Sequence, residues 1–180
     1  MTEEARLERT EAGLVPVGDD WFVVNAAHAP WWRGETFGAS CYFEGESEFP
    51  EVGLRIKVLW PGQPNGMYHR ESVQEDFLVL SGECLLLIEG EERPLKAWDF
   101  VHCPAGTDHI FIGAGSGPCV IFMVGSRAEE SIVYPVSELA LKHGAGVEEE
   151  TPNPAEAYAR FPDGETGPMP DGLLPALSPP

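Results

Sequence analysis

The sequence predicts an all-β fold, a sandwich or a barrel, on three observations. Between residues 21 and 125 the chain holds eight short apolar runs that are rich in Val, Ile, Phe, Tyr and Trp. Gly or Pro separates many of these runs at intervals of roughly eight to twelve residues, a spacing typical of sheets built from hairpins. Long helical segments do not alternate with the runs, which disfavours a parallel α/β sheet.

Residues 3–9 are compatible with a short helix that has Thr2 as its N-cap. Further along, hairpin turns separate several of the apolar runs, as in "SGE" at 81–83 and "PAGTD" at 104–108. We predict strands at the eight runs, which are 21–25, 39–43, 54–60, 77–81, 84–90, 99–103, 109–113 and 119–125.

Beyond the last run the pattern changes to short capped helices. In "PVSELALKHGAG", Ser137 is a candidate N-cap and Gly144 follows the last turn. In "NPAEAYARFP", Asn153 is a candidate N-cap and Pro154 takes the first helical position. The last thirty residues hold eight of the seventeen prolines, a composition typical of a disordered segment or one that drapes over a surface.

Charge and composition exclude several classes of protein. The chain has 30 acidic and 11 basic residues, so its formal charge of −19 disfavours nucleic acid and anionic membranes as partners. The acidic N-terminus lacks the apolar core of a secretory signal, and no apolar run approaches the ~20 residues that cross a bilayer. The cysteines form no C-x-x-C pair and predict buried thiols in a cytoplasmic protein. They are Cys41, Cys84, Cys103 and Cys119.

Metal-ligating residue types are concentrated just before a predicted core strand. His69 and Glu71 are two residues apart, so they point to the same face of a strand. Glu75 begins an inward-facing alternation, and a carboxylate facing a barrel interior is costly unless a charge compensates it. His109 adds a second imidazole after a tight Pro–Gly turn. Two imidazoles with one or two carboxylates are the ligand set of non-haem Fe(II), Mn(II), Ni(II) or open-site Zn(II) centres.

This segment resembles the first motif of the cupins. That motif runs Gly, five residues, His-x-His, three or four residues, Glu, six residues, Gly. In "HRESVQEDFLVLSG" the pattern begins at His69, and Glu75 and Gly82 keep the spacing of its second half. Glu71 replaces the second His, and the leading Gly62 lies one residue further from His69 than the pattern has it.

A second segment is similar to the second cupin motif, which runs Gly, five residues, Pro-x-Gly, two residues, His, three residues, Asn. In "WDFVHCPAGTDHIFIG" the core of Pro104, Gly106 and His109 is intact. Trp98 stands at the position of the leading Gly, and Gly113 stands at the position of the Asn.

The resemblance covers about residues 51–126 and implies a double-stranded β-helix, or jelly-roll, barrel. It also implies one divalent metal ion near the barrel mouth (Fe, Mn, Ni or Zn) and homodimers built by strand exchange. The implied ligands are His69, Glu75 and His109, with Glu71 in the place of the fourth. The chain then divides into an N-terminal arm with outer strands (1–50), the barrel (51–126), and a C-terminal arm with short helices and a Pro-rich tail (127–180).

The function that this resemblance implies is a metal-dependent enzyme acting on a small organic substrate, of the dioxygenase, isomerase, decarboxylase or lyase type. Glu71 has three open roles: fourth ligand, general base, or a residue that points to solvent. Tyr68, next to a ligand in the sequence, is a second candidate for moving a proton. The acidic balance disfavours a strongly anionic substrate unless Arg55 or Arg70 lies in the pocket.

Two further interpretations stay open at this point. The barrel could hold a metal ion or small ligand without turnover, as a sensor or storage protein. Alternatively, a metal-free barrel of the sugar-epimerase type would use a His base and a Tyr acid. This last interpretation predicts that His69 and Glu75 are not arranged around one point.

Overall fold

The structure, a computed structural model, describes residues 3–46, 48–128 and 131–171. Strands dominate these residues, and the only helices among them are two short ones. The first seven strands are β1 (Arg6–Arg9), β2 (Leu14–Val17), β3 (Trp31–Gly34), β4 (Gly38–Tyr42), β5 (Val52–Leu59), β6 (Arg70–Glu71) and β7 (Glu75–Ser81). The remaining strands are β8 (Glu83–Ile88), β9 (Glu91–Lys96), β10 (Phe100–Cys103), β11 (His109–Ala114), β12 (Cys119–Ser126), β13 (Ile132–Val133) and β14 (Glu165–Gly167). The helices are α1 (Glu138–Lys142) and α2 (Pro154–Ala157).

Two sheets enclose the main core. The larger has seven strands in the order β10-β7-β12-β5-β4-β3-β14, and the smaller has the order β11-β8-β9. Residues 63–69 extend the smaller sheet, since the Asn65 N–H donates to the Phe111 carbonyl over 2.9 Å. Phe77 and Ile121 of the larger sheet share one buried cluster with Leu86 and Phe111 of the smaller. The all-β prediction and the double-stranded β-helix are therefore confirmed.

Alternation along the strands decides which side chains face this core. On β7, Glu75, Phe77 and Val79 are buried, while the residues between them are only partly buried. The opposite face of the larger sheet packs a second cluster around Trp31 and Val58. A period of two along the chain therefore brings Glu75 onto the same inward face as the core residues.

Seven of the eight predicted strands are present. The strand predicted at 21–25 is wrong, because only Trp21 pairs there, as an isolated bridge to Glu4. The helix predicted at 3–9 is also wrong, and Thr2 lies outside the described residues. Arg6–Arg9 instead pairs as an antiparallel strand with Leu14–Val17, and this pairing overrides the weak local helix preference. The charged, exposed strand β9 carried no apolar signal by which to predict it.

Both predicted helices are confirmed at their capping residues. The Ser137 hydroxyl accepts a hydrogen bond from the Ala140 N–H over 3.2 Å, and the Asn153 side chain accepts one from the Ala155 N–H over 3.0 Å. After α2 the chain returns to the barrel, where β14 pairs with β3. The C-terminal arm thus packs on its own barrel as far as residue 171, and the rest of the Pro-rich tail lies outside the described residues. Within them, no helix is long and apolar enough to cross a membrane.

Among the residues with left-handed backbone conformations, Gly82 and Trp98 have them for different reasons. Gly82, in the turn between β7 and β8, has φ +76°, and a Cβ there would lie 2.4 Å from the Pro118 carbonyl oxygen. Trp98 stands where the cupin motif has glycine and also has a left-handed φ, of 75°. The backbone therefore keeps the conformation that the motif requires, at a cost of roughly 1–2 kcal/mol for a side chain with a Cβ.

Candidate metal centre

The two candidate histidine ligands are direct partners across the smaller sheet. The His69 N–H donates to the His109 carbonyl over 3.2 Å, and the His109 N–H donates to the His69 carbonyl over 2.8 Å. Their imidazole centroids are 4.9 Å apart. The turn before His109 contains Gly106 at φ +85°, and the Gly106 N–H donates to the Glu71 carbonyl over 2.7 Å. The second motif therefore forms the turn that places the two histidines side by side.

Glu75 approaches the histidines from the facing sheet, as the first residue of β7. One of its carboxylate oxygens, Oε2, lies 3.3 Å from His109 Nε2 and 3.8 Å from His69 Nε2. One ligand atom from each of these three residues lies within 4.8 Å of the other two. The three side chains are thus arranged around one point, contrary to what the metal-free epimerase interpretation predicts.

Backbone carbonyls orient both imidazoles. His69 Nδ1 lies 2.6 Å from the Met67 carbonyl oxygen, and His109 Nδ1 lies 3.0 Å from that of Thr107. Each Nδ1 therefore carries a hydrogen, so each Nε2 would offer its lone pair to a metal ion once it carries no proton. Metal-binding histidines commonly have this second hydrogen bond, which fixes the ring and its tautomer.

The ionisation of the three side chains favours a cation at this point. Burial and the charge of His109 lower the pKa of His69 to about 4, so its imidazole is neutral at pH 7. Burial would raise the pKa of Glu75, but the hydrogen bond from His109 and the neighbouring cationic groups outweigh it and lower that pKa. Burial would likewise lower the pKa of His109, but the hydrogen bond and charge of Glu75 raise it. An incoming metal ion thus replaces a proton held between His109 and Glu75.

The donor set fits a divalent metal ion. Two imidazole nitrogens and one carboxylate oxygen match the ligand types of borderline metals such as Zn, Fe, Mn and Ni. All three side chains are almost enclosed, with His109 only 1 % exposed and Glu75 9 % exposed. The residues that would hold the ion are therefore His69, Glu75 and His109.

Glu71 lies beside this group and lines the same cavity, which has a volume of about 340 Å³. Its Oε1 is 3.7 Å from His69 Nε2, and its side chain is 14 % exposed. Of its three predicted roles, pointing to solvent is the one that this burial disfavours.

Other predicted residues lie elsewhere. Tyr68 does not line the cavity: it packs against Leu87 and Ile110, and its hydroxyl accepts a hydrogen bond from the Gly90 N–H over 3.3 Å. Neighbouring residues on an extended chain face opposite sides, so placing His69 inward turns Tyr68 away. Arg70 pairs with Asp108 over 3.1 Å and also does not line the cavity.

Three cavity residues were not assigned to the site from the sequence alone. Arg55 lines the cavity from β5, while Tyr134 and Tyr158 reach it from the C-terminal arm. The Tyr158 hydroxyl accepts a hydrogen bond from the Met67 N–H over 3.0 Å and is hydrogen bonded to the Tyr134 side chain. Arg55 had been named only as one of two arginines that would admit an anionic substrate.

Comparisons with known proteins agree with this architecture. A cupin domain model (Cupin_2) matches residues 55–125. A comparison with curated protein sequences gives no match. In a solved structure from Acidithiobacillus ferrooxidans the similarity covers 46% of this chain and 54% of that chain, about half its length, at 27% identity and a TM-score of 0.43.

Two solved structures share more of the fold. A sugar phosphate isomerase from a cupin superfamily, from Silicibacter pomeroyi, has a TM-score of 0.54 and 18% identity, over 81% of this chain and 92% of that one. A predicted oxalate decarboxylase from Thermotoga maritima has a TM-score of 0.51 and 20% identity, over 58% of this chain and 97% of that one. At these identities the likeness concerns the fold.

The fold and the site together define a β-barrel with a candidate metal centre inside one end. With the domain model that matches residues 55–125, they show that the chain carries a cupin domain.

Proposed function

We propose that the chain is a metal-dependent cupin enzyme that acts on a small organic anion by proton transfer. The observation that carries this proposal is the convergence of His69, Glu75 and His109 in an open cavity of about 340 Å³. Each imidazole keeps Nε2 available because Nδ1 is bound to a backbone carbonyl. A bound divalent ion would supply a Lewis acid that polarises a substrate carbonyl or carboxylate.

The groups around the ligands support proton transfer. Glu71 lies at the cavity wall within 3.7 Å of a ligand nitrogen, in reach of a small molecule held there. Burial raises the pKa of Tyr158, and this effect exceeds the opposing effects of its hydrogen bonds and charged neighbours. The hydroxyl therefore stays protonated. We assign Glu71 as the general base and Tyr158 as a hydrogen-bond donor that orients the substrate.

Arg55 is the residue from which we infer an anionic substrate. Its guanidinium lines the cavity, yet among the described residues it makes no hydrogen bond and no ion pair. An arginine that faces a cavity without a carboxylate partner, in a chain with 30 acidic residues, is suited to bind a carboxylate or phosphate. This cation relieves the repulsion that the net charge of −19 would otherwise impose on such a substrate.

A non-catalytic binding protein is the alternative in a different functional class. The cavity has room for a substrate and holds groups that can transfer a proton beside the ligands, which favours an enzyme over a binding protein. Among reaction types, isomerases and decarboxylases or lyases use such groups directly, whereas a dioxygenase depends mainly on open positions at the metal.

Metal content tests the first half of this proposal. Protein purified without a His-tag is expected to hold close to one equivalent of a divalent metal, and His69→Ala to lose it. His143→Ala is the matched control, since His143 lies away from the site and pairs with Glu92. Absence of metal from the wild type, even after reconstitution, contradicts the metal centre.

Solvent exchange tests the second half without requiring the product to be known. Small carboxylic acids and phosphate esters are incubated with the metal-loaded protein in D₂O, and deuterium incorporation is followed by mass spectrometry. We expect incorporation into one substrate class with the wild type. Glu71→Gln is expected to retain the metal and lose the exchange, because an amide cannot accept the proton. Exchange at the wild-type rate in Glu71→Gln contradicts the assignment of Glu71 as base.

A further inference from the structure

A second cavity, here called the annex, adjoins the candidate metal centre. It has a volume of about 500 Å³ and is lined by Trp32, Ser40, Lys57 and Phe161, among others. Arg55, Tyr42, Asn65 and Tyr158 line both cavities, so the two share a wall.

Lys57 is the unusual residue of the annex. It is 4 % exposed, and its Nζ donates a hydrogen bond to the Ser40 hydroxyl over 3.0 Å. Nζ also lies 5.4 Å from the centroid of the Trp32 ring. Among the described residues Lys57 forms no ion pair with any carboxylate, including that of Asp163, which is exposed at the annex wall. A buried ammonium with three donors and only one hydroxyl acceptor is left without a compensating charge.

The neighbouring cation increases this imbalance. Arg55 and Lys57 are two residues apart on β5, so they face the same side. Burial and the charge of Arg55 lower the pKa of Lys57 to about 7. Neither cation has a carboxylate partner in the described chain. Arg55 is exposed to solvent whereas Lys57 is buried, so the buried ammonium is the charge that an anion would compensate.

We infer that Arg55 and Lys57 form an oxyanion subsite that binds a carboxylate or phosphate group of the substrate. An oxyanion between the two side chains would accept hydrogen bonds from the guanidinium and the ammonium, and its negative charge would compensate the buried ammonium. The Trp32 and Phe161 side chains would cover the adjoining apolar part of the same molecule.

The strand register gives the direction in which the ligand would lie. Glu75 is aligned with Gly53 through Gly125, and Lys57 is four residues further along β5 than Gly53. The backbone of Lys57 therefore lies about 13 Å along the strand direction from the row of Glu75. A molecule that reaches from the metal ligands to Lys57 would lie along β5 and pass Arg55. This step rests on the proposed function for the position of the reacting end, whereas anion binding itself does not.

The test measures anion binding to metal-free protein by calorimetry, in a buffer without other oxyanions, with inorganic phosphate and acetate as separate probes. At least one probe is expected to bind the wild type, and Lys57→Met and Arg55→Gln are each expected to weaken it about tenfold. Lys96→Met and Arg93→Gln are matched controls on the exposed strand β9 and are expected to bind as the wild type does. Tighter binding of phosphate indicates a phosphate ester, and tighter binding of acetate indicates a carboxylic acid.

A second readout separates a direct contact from a change in net charge. The ¹³C NMR signal of the Lys57 ε-carbon reports its titration, and the bound anion is expected to raise the pKa of Lys57. Binding of neither probe to the wild type, unchanged binding in Lys57→Met, or equal weakening in the controls overturns the subsite. Metal content is measured on the same variants. If the wild type binds an anion but takes up no metal even on reconstitution, the subsite is retained and the proposed function is rejected. If it takes up metal but binds neither anion, the subsite is rejected and the metal centre is retained.

Discussion

The candidate metal centre and the annex lie side by side but differ in how their charges are compensated. At the metal centre, Glu75 lies within 4 Å of two imidazole nitrogens, and Glu71 stands beside them. In the annex, the side chains of Arg55 and Lys57 have no carboxylate partner within the described residues. The carboxylates and imidazoles of the metal centre are suited to bind a cation, whereas the two basic side chains of the annex are suited to bind an anion.

This difference indicates the direction in which a substrate would be held. Under the proposed function, a carbonyl or carboxylate end would lie at the candidate metal centre, where a bound cation would supply the chemistry. The oxyanion end belongs at Arg55 and Lys57, away from the carboxylates that would repel it. The predictions below change one region and use the other as an internal reference.

Removing the ligand carboxylate is expected to have the largest effect. Glu75→Gln replaces an anionic oxygen donor by an amide, and we expect metal affinity to fall by roughly 100-fold or more. This exceeds the usual effect of removing a residue that only hydrogen bonds to a metal ligand. Metal titration followed by calorimetry measures this change. Asp76→Asn is the control, because it removes the same charge at the neighbouring residue. The Asp76 side chain pairs with His102 on the other face of the strand. A similar loss of phosphate binding in Glu75→Gln would show that the two regions are not independent.

Removing the buried cation is expected to have the next largest effect, on stability. Burial lowers the pKa of Lys57 from 10.5 to about 7 in the folded chain, so between these values the unfolded chain binds more protons. The wild type therefore gains stability as the pH rises through this window, and the cost of the buried charge is fully present below pH 7. Lys57→Met lacks this cost and is expected to be more stable by roughly 2–4 kcal/mol at pH 6.5.

Urea unfolding at several pH values checks this prediction in a buffer free of oxyanions. The advantage of Lys57→Met is expected to shrink by roughly 2 kcal/mol between pH 6.5 and pH 9. Lys96→Met, on the exposed surface, is expected to change stability by less than about 0.5 kcal/mol at either pH. An advantage of Lys57→Met that does not depend on pH would show that Lys57 is not a buried cation.

The ligand residues could be predicted from the sequence because their positions depend on local geometry. His69 and Glu75 are six residues apart around one short turn, and His109 follows a turn that Pro104 and Gly106 specify. Tyr68, the second candidate for moving a proton, lies outside this cavity, because the alternation that directs His69 inward directs its neighbour outward. Whether the ligands and Glu71 act as predicted awaits the metal and exchange measurements.

The residues that complete the cavity could not be predicted in the same way. Tyr158 contacts the backbone of Met67 across a sequence separation of 91 residues, and no local pattern indicates that return of the chain. Arg55 and Lys57 lie on a strand that was predicted from its apolar residues, and the sequence did not fix which way their side chains point. The homodimer, the lack of nucleic-acid and membrane partners, the cytoplasmic location and the domain boundaries at 50 and 126 stay predictions.

The smallest effect is expected from the one neutral partner of the buried cation. Ser40 accepts a hydrogen bond from Lys57, and this acceptor stabilises the ammonium more than the neutral amine. Ser40→Ala is therefore expected to lower the pKa of Lys57 further below about 7, by roughly half a pKa unit, and to leave metal affinity unchanged.

The ¹³C NMR titration of Lys57 measures this change, with Ser126→Ala as the matched control because the Ser126 hydroxyl bonds only the nearby Ala128 N–H in the described chain. The direction of the change is what decides the interpretation. A lower pKa means that the hydroxyl compensates part of the ammonium charge. The rest of that charge is then left for a bound anion to compensate. A higher pKa in Ser40→Ala would mean that water enters the space of the hydroxyl and solvates the ammonium, in which case Lys57 needs no anion.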